Sequence, residues 1–453
     1  MAKNTSPLTA MPRGFDLGQA VEEANRCLLC YDAPCSKGCP GGTDPGAFIK
    51  KLRMRNITGA IRTIKSNNIL GGACGVLCPT AQLCEKECSA TALMDRPIQI
   101  GKIQRALIEH SWHMNFSPLE KGAPRKEKIA VVGSGPAGLS CAAELAKAGF
   151  KITVFEARPK AGGVLRYGVP AYRFSEDFLD RELADIKRLG ITLKCSTPIR
   201  GKGAAEGLLK KGFAAVFLAP GLWEPMRLKK NPAPVRGVFT ATDFLCSMKT
   251  GKQAQARKAI QGKRVAVIGG GSVAIDCVES ALKLKAKDVY LIYRRSYAQM
   301  PAEEKERSEA LQAGIHFLLL NQPVDYVTDS KGALKAIRLV RTELGKKDSS
   351  GRRSPVEIPG SEWEMKIDAV VEAIGVRPAA DTITGFQTLK RTPGNLIVAD
   401  PDTGATSVKK IFAGGDIVRG PALIIEAVKD GKAAAKAIQK QLAKQEKSHV
   451  KAG

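Results

Sequence analysis

Lys128-Ile-Ala-Val-Val-Gly133-Ser134-Gly135-Pro136-Ala137-Gly138-Leu139 decides the fold. A short apolar strand runs straight into a glycine-rich turn, and a helical pattern continues to about Gly149. A second strand, Lys151-Ile-Thr-Val-Phe-Glu156, then ends in an acid 21 residues after Gly135. A lone G-x-G-x-x-G run is a weak signal. Strand, turn, helix, strand and terminal acid in register are a dinucleotide-binding βαβ unit. Gly133 makes the tight turn, Gly135 lets a pyrophosphate approach the backbone, and Gly138 lets helix and strand pack closely. The helix N-terminus favours the phosphate charge. Glu156 can accept hydrogen bonds from both ribose hydroxyls; a solvent-facing strand end is its plainer reading.

Outward from this unit the pattern repeats. Lys263-Arg-Val-Ala-Val-Ile-Gly269-Gly270-Gly271-Ser272-Val273-Ala274-Ile-Asp276 is a second strand–turn–helix, with Ala274 at the third small position. Its next strand, Asp288-Val-Tyr-Leu-Ile-Tyr293, ends in Arg294-Arg295 instead of an acid. An acid there would repel a 2′-phosphate, whereas two arginines attract it, so this site is expected to take NADP(H) in preference to NAD(H). A basic surface turn is the plainer reading of the pair. The two sites, about 135 residues apart, fit a flavin-binding domain carrying an inserted nicotinamide-binding domain. A return segment completes the first domain: Ile411-Phe-Ala-Gly-Gly415-Asp416 is a strand ending in Gly-Asp, followed by a helical run from about Leu423 to Leu442. Asp416 is placed to hydrogen-bond a flavin ribityl chain, or simply to cap a helix. Asp368 to Pro378 reads as the crossing back between the domains.

Eight of the 12 cysteines fall between Cys27 and Cys88, as Cys27-x2-Cys30-x4-Cys35-x3-Cys39-Pro40 and Cys74-x3-Cys78-Pro79-x4-Cys84-x3-Cys88. Short spacings let one loop wrap several thiolates around a compact cofactor. The Cys-Pro pairs match those that close ferredoxin-type runs. Zinc is the alternative, but its modules favour paired C-x2-4-C knuckles and often histidine. None of the four histidines joins this cluster. Two [4Fe–4S] clusters with exchanged ligands are expected. Between the groups, Phe48, Ile49, Leu52, Ile57, Ala60, Ile61 and Ile64 recur at helical period, alongside Lys50, Lys51, Arg53, Arg55, Arg62 and Lys65. This reads as an amphipathic helix with a solvated basic face; a docking face for an acidic partner is the alternative. Cys141, Cys195, Cys246 and Cys277 stand singly, which argues against a redox-active cysteine pair beside the flavin.

The 453 residues allow about three domains. No apolar run reaches membrane-spanning length and no apolar stretch follows the N-terminus, so a soluble, cytoplasmic protein without membrane association is expected. The 71 Lys and Arg exceed the 44 Asp and Glu by 27. Such a charge first suggests nucleic acid, a partner that would leave Glu156, Arg294-Arg295 and Asp416 unexplained. The expected organisation is α/β: an α-helical iron–sulfur domain (1–120), a flavin domain in two parts (121–255 and 379–453, the latter with a basic tail) and an NADP domain (256–378). Both nucleotide domains are expected to be Rossmann-like.

From about Arg26 to Leu442 the chain resembles the N-terminal half of dihydropyrimidine dehydrogenase and the separate bacterial electron-input subunit of that enzyme. More distantly it resembles the small subunit of NADPH-dependent glutamate synthase. The resemblance is carried by Arg26-Cys-Leu-Leu-Cys-Tyr-Asp-Ala-Pro-Cys-Ser-Lys-Gly-Cys-Pro40, Cys74-Gly-Val-Leu-Cys-Pro-Thr80, Pro97-Ile-Gln-Ile-Gly-Lys-Ile-Gln104, both nucleotide segments and Phe412-Ala-Gly-Gly-Asp-Ile-Val418. It implies one cluster held by Cys27, Cys30, Cys35 and Cys88. It implies another held by Cys39, Cys78, Cys84 and the side-chain oxygen of Gln104, leaving Cys74 spare. From the residue alone Gln104 would be an exposed helix glutamine; glutamate synthase small subunits tend to carry Glu there. For the flavin the resemblance implies Gly133 to Ala137, Glu156, Gly163, Arg173 and Asp416. For the nicotinamide it implies Gly270 to Val273, Asp276, Arg294, Arg295 and Ala373-Ile374-Gly375. The arginine pair is a departure, since separate bacterial dihydropyrimidine dehydrogenase input subunits can use NAD.

The resemblance implies an oxidoreductase subunit that takes electrons from NADPH through FAD and two [4Fe–4S] clusters. No FMN-binding barrel follows Asp416, so the final reduction is expected on a separate catalytic subunit. That partner would be of the dihydropyrimidine dehydrogenase type, reducing uracil or thymine, or the large subunit of glutamate synthase. A self-standing NADPH:acceptor oxidoreductase is the remaining alternative.

Overall fold

Asp16 opens the first helix, α1 (Leu17–Asn25), with a capping box: its carboxylate accepts from Gln19 N and the Gln19 side chain accepts from Asp16 N. In this computed structural model, which describes residues 11–228, 235–250, 252–348 and 351–450 (side chains to 444), a cluster of helices follows. The expected single basic helix is two, α2 (Pro45–Arg53) and α3 (Ile57–Asn67). Arg55 breaks them with φ of 60°, and Asn56 caps the second by accepting from Gly59 N. Next come α4 (Gly71–Leu77) and α5 (Ile100–His113). Phe48, Leu52, Ile61, Ile64, Ile103 and Leu107 from these helices are fully buried in one core, each contributing roughly 1.5–3 kcal/mol. Lys65 departs from the expected solvated face: it is 1% exposed and pairs with acids from a later helix.

The first βαβ unit forms as read: β1 (Lys128–Val132), α6 (Pro136–Lys147) and β2 (Lys151–Phe155). The chain continues through α7 (Glu176–Lys187), β3 (Thr192–Lys194) and β4 (Ala215–Leu218).

A second sheet takes over with β5 (Val238–Thr240), β6 (Arg264–Ile268), α8 (Ser272–Lys283), β7 (Asp288–Tyr293) and β8 (His316–Leu319). Antiparallel strands follow: β9 (Asn321–Thr328), β10 (Leu334–Lys347), β11 (Arg353–Glu357) and β12 (Trp363–Lys366). The strand β13 (Ala369–Glu372) rejoins the second sheet, β14 (Ile411–Ala413) rejoins the first, and α9 (Ile424–Val450) closes the described chain. A one-turn helix, Asp416–Arg419, lies between these last two.

Both parallel sheets place the strand before the glycine turn at the point where strand order reverses. The first runs β14-β4-β1-β2-β3 and the second β5-β13-β6-β7-β8. Ligands bind beyond the carboxyl ends of strands at such a point. Residues Ile129 to Val132 and Val265 to Ile268 are continuously buried, as strands covered on both faces must be.

The chain divides into two compact units, one of Met11–Arg166, Arg173–Leu222 and the residues from Arg377 on, the other of Tyr167–Tyr172 and Trp223–Val376. The expected boundary at 255/256 therefore falls inside the second unit. Val238 pairs in parallel with Val370, and Phe244, Leu245 and Met248 enter the same core as Val265 and Val371. The segment from Asp368 likewise begins as β13 of the second sheet, and the chain leaves only after Val376. A three-residue strand is too short to show a period. The four-stranded antiparallel sheet had no sequence forecast; it holds most of the basic stretch from Lys331 to Arg353 and buries Leu334, Ile337 and Leu339.

Candidate functional site

Gly133 follows β1 with φ of 99°, and a Cβ there would overlap the Ala219 carbonyl oxygen. A Cβ on Gly138 would overlap Gly133 O, so α6 sits directly against the turn. Gly135 differs: it caps α6, and the nearest atom to a Cβ on it is Gly163 Cα at 4.0 Å. The space over Gly135 is thus open, floored by backbone and by the first turn of α6 at Pro136 and Ala137, which fits a pyrophosphate. Glu156 is buried at the end of β2. It accepts from Ser134 N at 3.0 Å, Ser134 Oγ at 2.5 Å and Arg158 N at 2.8 Å. This sets aside the solvent-facing reading and aims the acid at the turn. Gly163, with φ of 54°, faces Gly135, and Arg173 is half-buried after the segment 167–172.

Asp416 starts its one-turn helix immediately after Gly415. Burial pushes its carboxyl up to about 6. The turn is held by Asp430 of α9, which accepts from Gly415 N at 2.8 Å and from Arg419 Nε at 3.0 Å. Sequence reading missed Asp430 because it lies among lysines with no motif around it. Helix α9 in turn lies against α6: Ser140 Oγ donates to Val428 O at 2.9 Å.

In the second unit Gly269 has φ of 142° and Gly270 packs against the Tyr293 ring. Gly271 caps α8, Ser272 opens it and Val273 is half-exposed on its first turn, while Ala274 is fully buried at the third small position. Asp276 is buried one turn further, and its carbonyl accepts from Tyr172 Oη at 3.2 Å. Ala373, Ile374 and Gly375 leave the carboxyl end of β13, with Gly375 exposed at φ of 117°. The arginine pair splits. Arg294 is exposed, whereas Arg295 is buried and donates to Asp348 Oδ2 at 2.6 Å and Arg353 O at 2.8 Å. Asp348 follows β10, so the antiparallel sheet neutralises Arg295. The expectation that both arginines meet a 2′-phosphate is corrected: only Arg294 is exposed for one.

Cys27, Cys30, Cys35 and Cys88 line a single cavity of about 730 Å³ that no other cysteine reaches. This is one of the two sets implied by the resemblance. Of the other set, Cys39 Sγ accepts from Thr43 N at 3.4 Å, Cys78 ends α4, and Cys84 is buried close behind Gly38. Gln104 on α5 is 6% exposed, against the surface position its residue type suggests, and its Nε2 donates to Gly71 O at 2.6 Å. That bond commits the amide nitrogen and leaves the oxygen for a ligand role. Among the described residues no His, Cys, Asp or Glu group converges tightly enough for one metal ion; the first thiol set surrounds a space instead. Burial pushes the Cys35 thiol up to about 11, with the charges of Cys88 and Cys27 adding to it. Thiolates so placed repel one another unless a cationic core lies between them, so the donor set fits an iron–sulfur cluster. Burial pushes the Cys74 thiol up to about 12, relieved in part by a hydrogen bond with Asn68, and it pushes Cys84 up as well.

The model of the pyridine nucleotide-disulphide oxidoreductase family matches residues 127–431. This chain belongs to that family. Residues 4–116 match the family model described as dihydropyrimidine dehydrogenase domain II, 4Fe-4S cluster. The protein is therefore an oxidoreductase of that family with an N-terminal 4Fe–4S domain, a flavin/iron–sulfur electron-transfer protein using FAD and a pyridine nucleotide.

The glutamate synthase [NADPH] small chain of Escherichia coli (strain K12) is 33% identical over 94% of this chain and 92% of its own length. The NAD-dependent dihydropyrimidine dehydrogenase subunit PreT of Salmonella typhimurium is 33% identical over 96% and 97%. The NADP(+)-dependent formate dehydrogenase subunit beta of Moorella thermoacetica is 35% identical over 95% of this chain, which spans 63% of that relative. Among solved structures, Mycobacterium tuberculosis FprA in complex with NADPH shares the fold at a TM-score of 0.60, with 20% identity over 72% of this chain and 86% of its own. Unlike a disulphide-reducing site, which needs adjacent thiols, this oxidoreductase carries Cys141 in α6 and Cys277 in α8, each buried and pushed well up by that burial. Among the described residues no helix is long and apolar enough to cross a membrane.

Proposed function

We propose that this chain is an NADPH-oxidising electron-input subunit serving a separate catalytic subunit, with pyrimidine reduction of the dihydropyrimidine dehydrogenase type as the pathway. The observation that carries the proposal is the presence, in one compact unit, of both the cysteine-lined cavity and the open glycine turn of the flavin site. Bound FAD would accept a hydride's two electrons and release them singly to 4Fe–4S clusters. The residues of the chain do the binding and positioning. The backbone from Gly133 to Gly138 with Gly163 seats a pyrophosphate, Glu156 a ribose, and Gly415-Asp416 with Arg173 the rest of the flavin. Gly270 to Val273, Asp276 and Ala373 to Gly375 seat the nicotinamide nucleotide, with Arg294 on its 2′-phosphate and Arg295 positioning the strand end. Two clusters are held by Cys27, Cys30, Cys35 and Cys88, and by Cys39, Cys78, Cys84 and Gln104.

Gln104 supports the dihydropyrimidine reading. The exposed Arg294 and the NADPH in the name of the glutamate synthase relative support a second, glutamate synthase small subunit. Purified anaerobically, the chain should hold FAD and about eight irons, and reduce artificial acceptors with NADPH. A colourless protein would overturn both readings. Mixing with an FMN-barrel subunit and uracil, against a glutamate synthase large subunit with 2-oxoglutarate and glutamine, decides between them. Full turnover without any partner chain would favour a self-standing reductase.

A further inference from the structure

Three buried ionisable side chains occupy the core between the iron–sulfur helices and α7, and burial pushes the carboxyl of one of them, Glu182, up to about 7. Lys65, Glu182 and Asp185 are 1%, 0% and 3% exposed. The Glu182 carboxylate accepts from Gly72 N at 2.7 Å and Ala73 N at 3.0 Å. Lys65 Nζ lies 3.2 Å from Asp185 Oδ2 and 3.9 Å from Glu182 Oε1, with no aligned hydrogen-bond acceptor. Asp185 also accepts from Trp112 Nε1 at 3.0 Å. So costly an arrangement stands out in a core, and the nucleotide chemistry gives it no role.

Its connection runs through one peptide plane. Gly72 N, which donates to Glu182, and Gly71 O, which accepts from Gln104 Nε2 at 2.6 Å, belong to the same peptide unit. A charge accepting at one end of a peptide polarises it and strengthens the carbonyl at the other end as an acceptor. The local sequence leaves this peptide little freedom. A Cβ on Gly72 would lie 2.7 Å from the Phe178 ring and 2.8 Å from Glu182 Oε1, and one on Gly75 2.8 Å from Arg105 N. The Gly71-Gly72-Ala73-Cys74-Gly75 run thus lets α4 sit against α5 on one side and Glu182 on the other.

We infer that Glu182 is a positioning residue for Gln104. Through the Gly71–Gly72 peptide it fixes which way the Gln104 amide faces, nitrogen to the peptide and oxygen to the metal, and it sets the negative charge felt by the cluster on that side. Lys65, itself paired with Asp185, lies beside Glu182 and offsets its charge. This rests on the proposed reading of Gln104 as a ligand.

The test compares full-length Glu182→Gln, Gln104→Ala and the double variant, each purified anaerobically with its clusters. Electron paramagnetic resonance and the midpoint potential of each cluster are followed in a dithionite titration at a pH above about 8, where the Glu182 carboxyl is ionised. Glu182→Gln keeps one acceptor and removes the charge. It is expected to change the signal of one cluster and move its potential to more positive values, leaving the cluster of Cys27, Cys30, Cys35 and Cys88 unchanged. In the Gln104→Ala background the signal change from Glu182→Gln should vanish. If Gln104→Ala alters one cluster but Glu182→Gln alters neither, the positioning role is overturned and the ligand reading stands. If Gln104→Ala alters neither, the ligand reading fails and the inference falls with it. Should Glu182→Gln not fold, Glu182→Asp, which keeps the charge beside Lys65 but withdraws the carboxylate from Gly72 N by one methylene, is expected to change the signal of that same cluster without the positive shift in potential, and a signal unchanged in both clusters overturns the positioning role.

Discussion

Single residues separate binding from folding most sharply in the first glycine turn. A Cβ on Gly133 meets the Ala219 carbonyl, whereas one on Gly135 meets nothing nearer than 4.0 Å. Gly133→Ala should therefore unfold at markedly lower temperature. Gly135→Ala should keep the melting temperature of the flavin-free wild type yet be purified without FAD, as absorbance near 450 nm would report (roughly the flavin band). The arginine pair divides in the same way. Arg294→Ala is expected to raise KM for NADPH about tenfold, the loss of a charge-assisted hydrogen bond, with NADH kinetics unmoved. Arg295→Ala should cost on the order of 2 kcal/mol in stability, because it removes a buried guanidinium's ion pair with Asp348 and its hydrogen bond to the Arg353 carbonyl. Asp416 gives a pH signature. Its carboxyl, raised to about 6 by burial from an ordinary 3.8, holds its proton in the folded chain after the unfolded chain has lost it. Stability of the flavin-free protein should thus fall as pH rises from about 4 to about 6 and level off above. Asp416→Asn should flatten that slope in urea melts. Gly133, Gly135 and Glu156 were legible because a motif in register names them. The split of Arg294 from Arg295 was not, since it depends on Asp348, 53 residues further on.

At the scale of elements, the parallel strands and their helices were readable from period and punctuation, and the pieces between them less so. The stretch from Phe48 to Lys65 keeps one helical period, but Arg55 and the Asn56 cap break it into α2 and α3. The strand Val238–Thr240 takes its place only because β13 offers an edge to pair with. Helix α9 shows how far an element's role can depart from its composition. Its lysines read as a basic tail, and Lys429, Lys436, Lys440 and Lys444 fall in its described part, while Lys451 and the Lys447 side chain lie outside the described residues. Lys432 is instead half-buried and donates to Gly41 O and Asn67 O, both at 2.7 Å. Burial holds its pKa below the usual lysine value. Lys432→Met should leave both carbonyls unsatisfied and cost about 1–3 kcal/mol in denaturant unfolding. Lys436→Met should change little.

Across the whole molecule the excess of 27 positive charges over negative reads differently once the structure is in hand. Lys65, Arg295 and Lys432 are consumed internally, and bound FAD and NADPH would offset more. The remainder spreads over exposed residues such as Arg55, Lys346, Lys347 and Arg353. Such a surface suits an acidic partner subunit, so raising ionic strength from 50 to 300 mM (spanning Debye lengths of roughly 14 to 6 Å) should slow transfer between subunits in stopped-flow mixing. A rate indifferent to salt would return the charge to solubility alone. The sequence by itself determined the two dinucleotide folds, the cysteine-rich module and the family, because each rests on contiguous residues whose spacing is dictated by backbone geometry around a phosphate or a metal. Only the tertiary structure decided which cysteines share a cavity, that Gln104 is buried, that Arg295 is paired, and that Glu182 reaches the Gly71–Gly72 peptide. Those are contacts between residues from tens to over a hundred positions apart. Their energies come from desolvation and hydrogen bonding in a core, which no local pattern encodes.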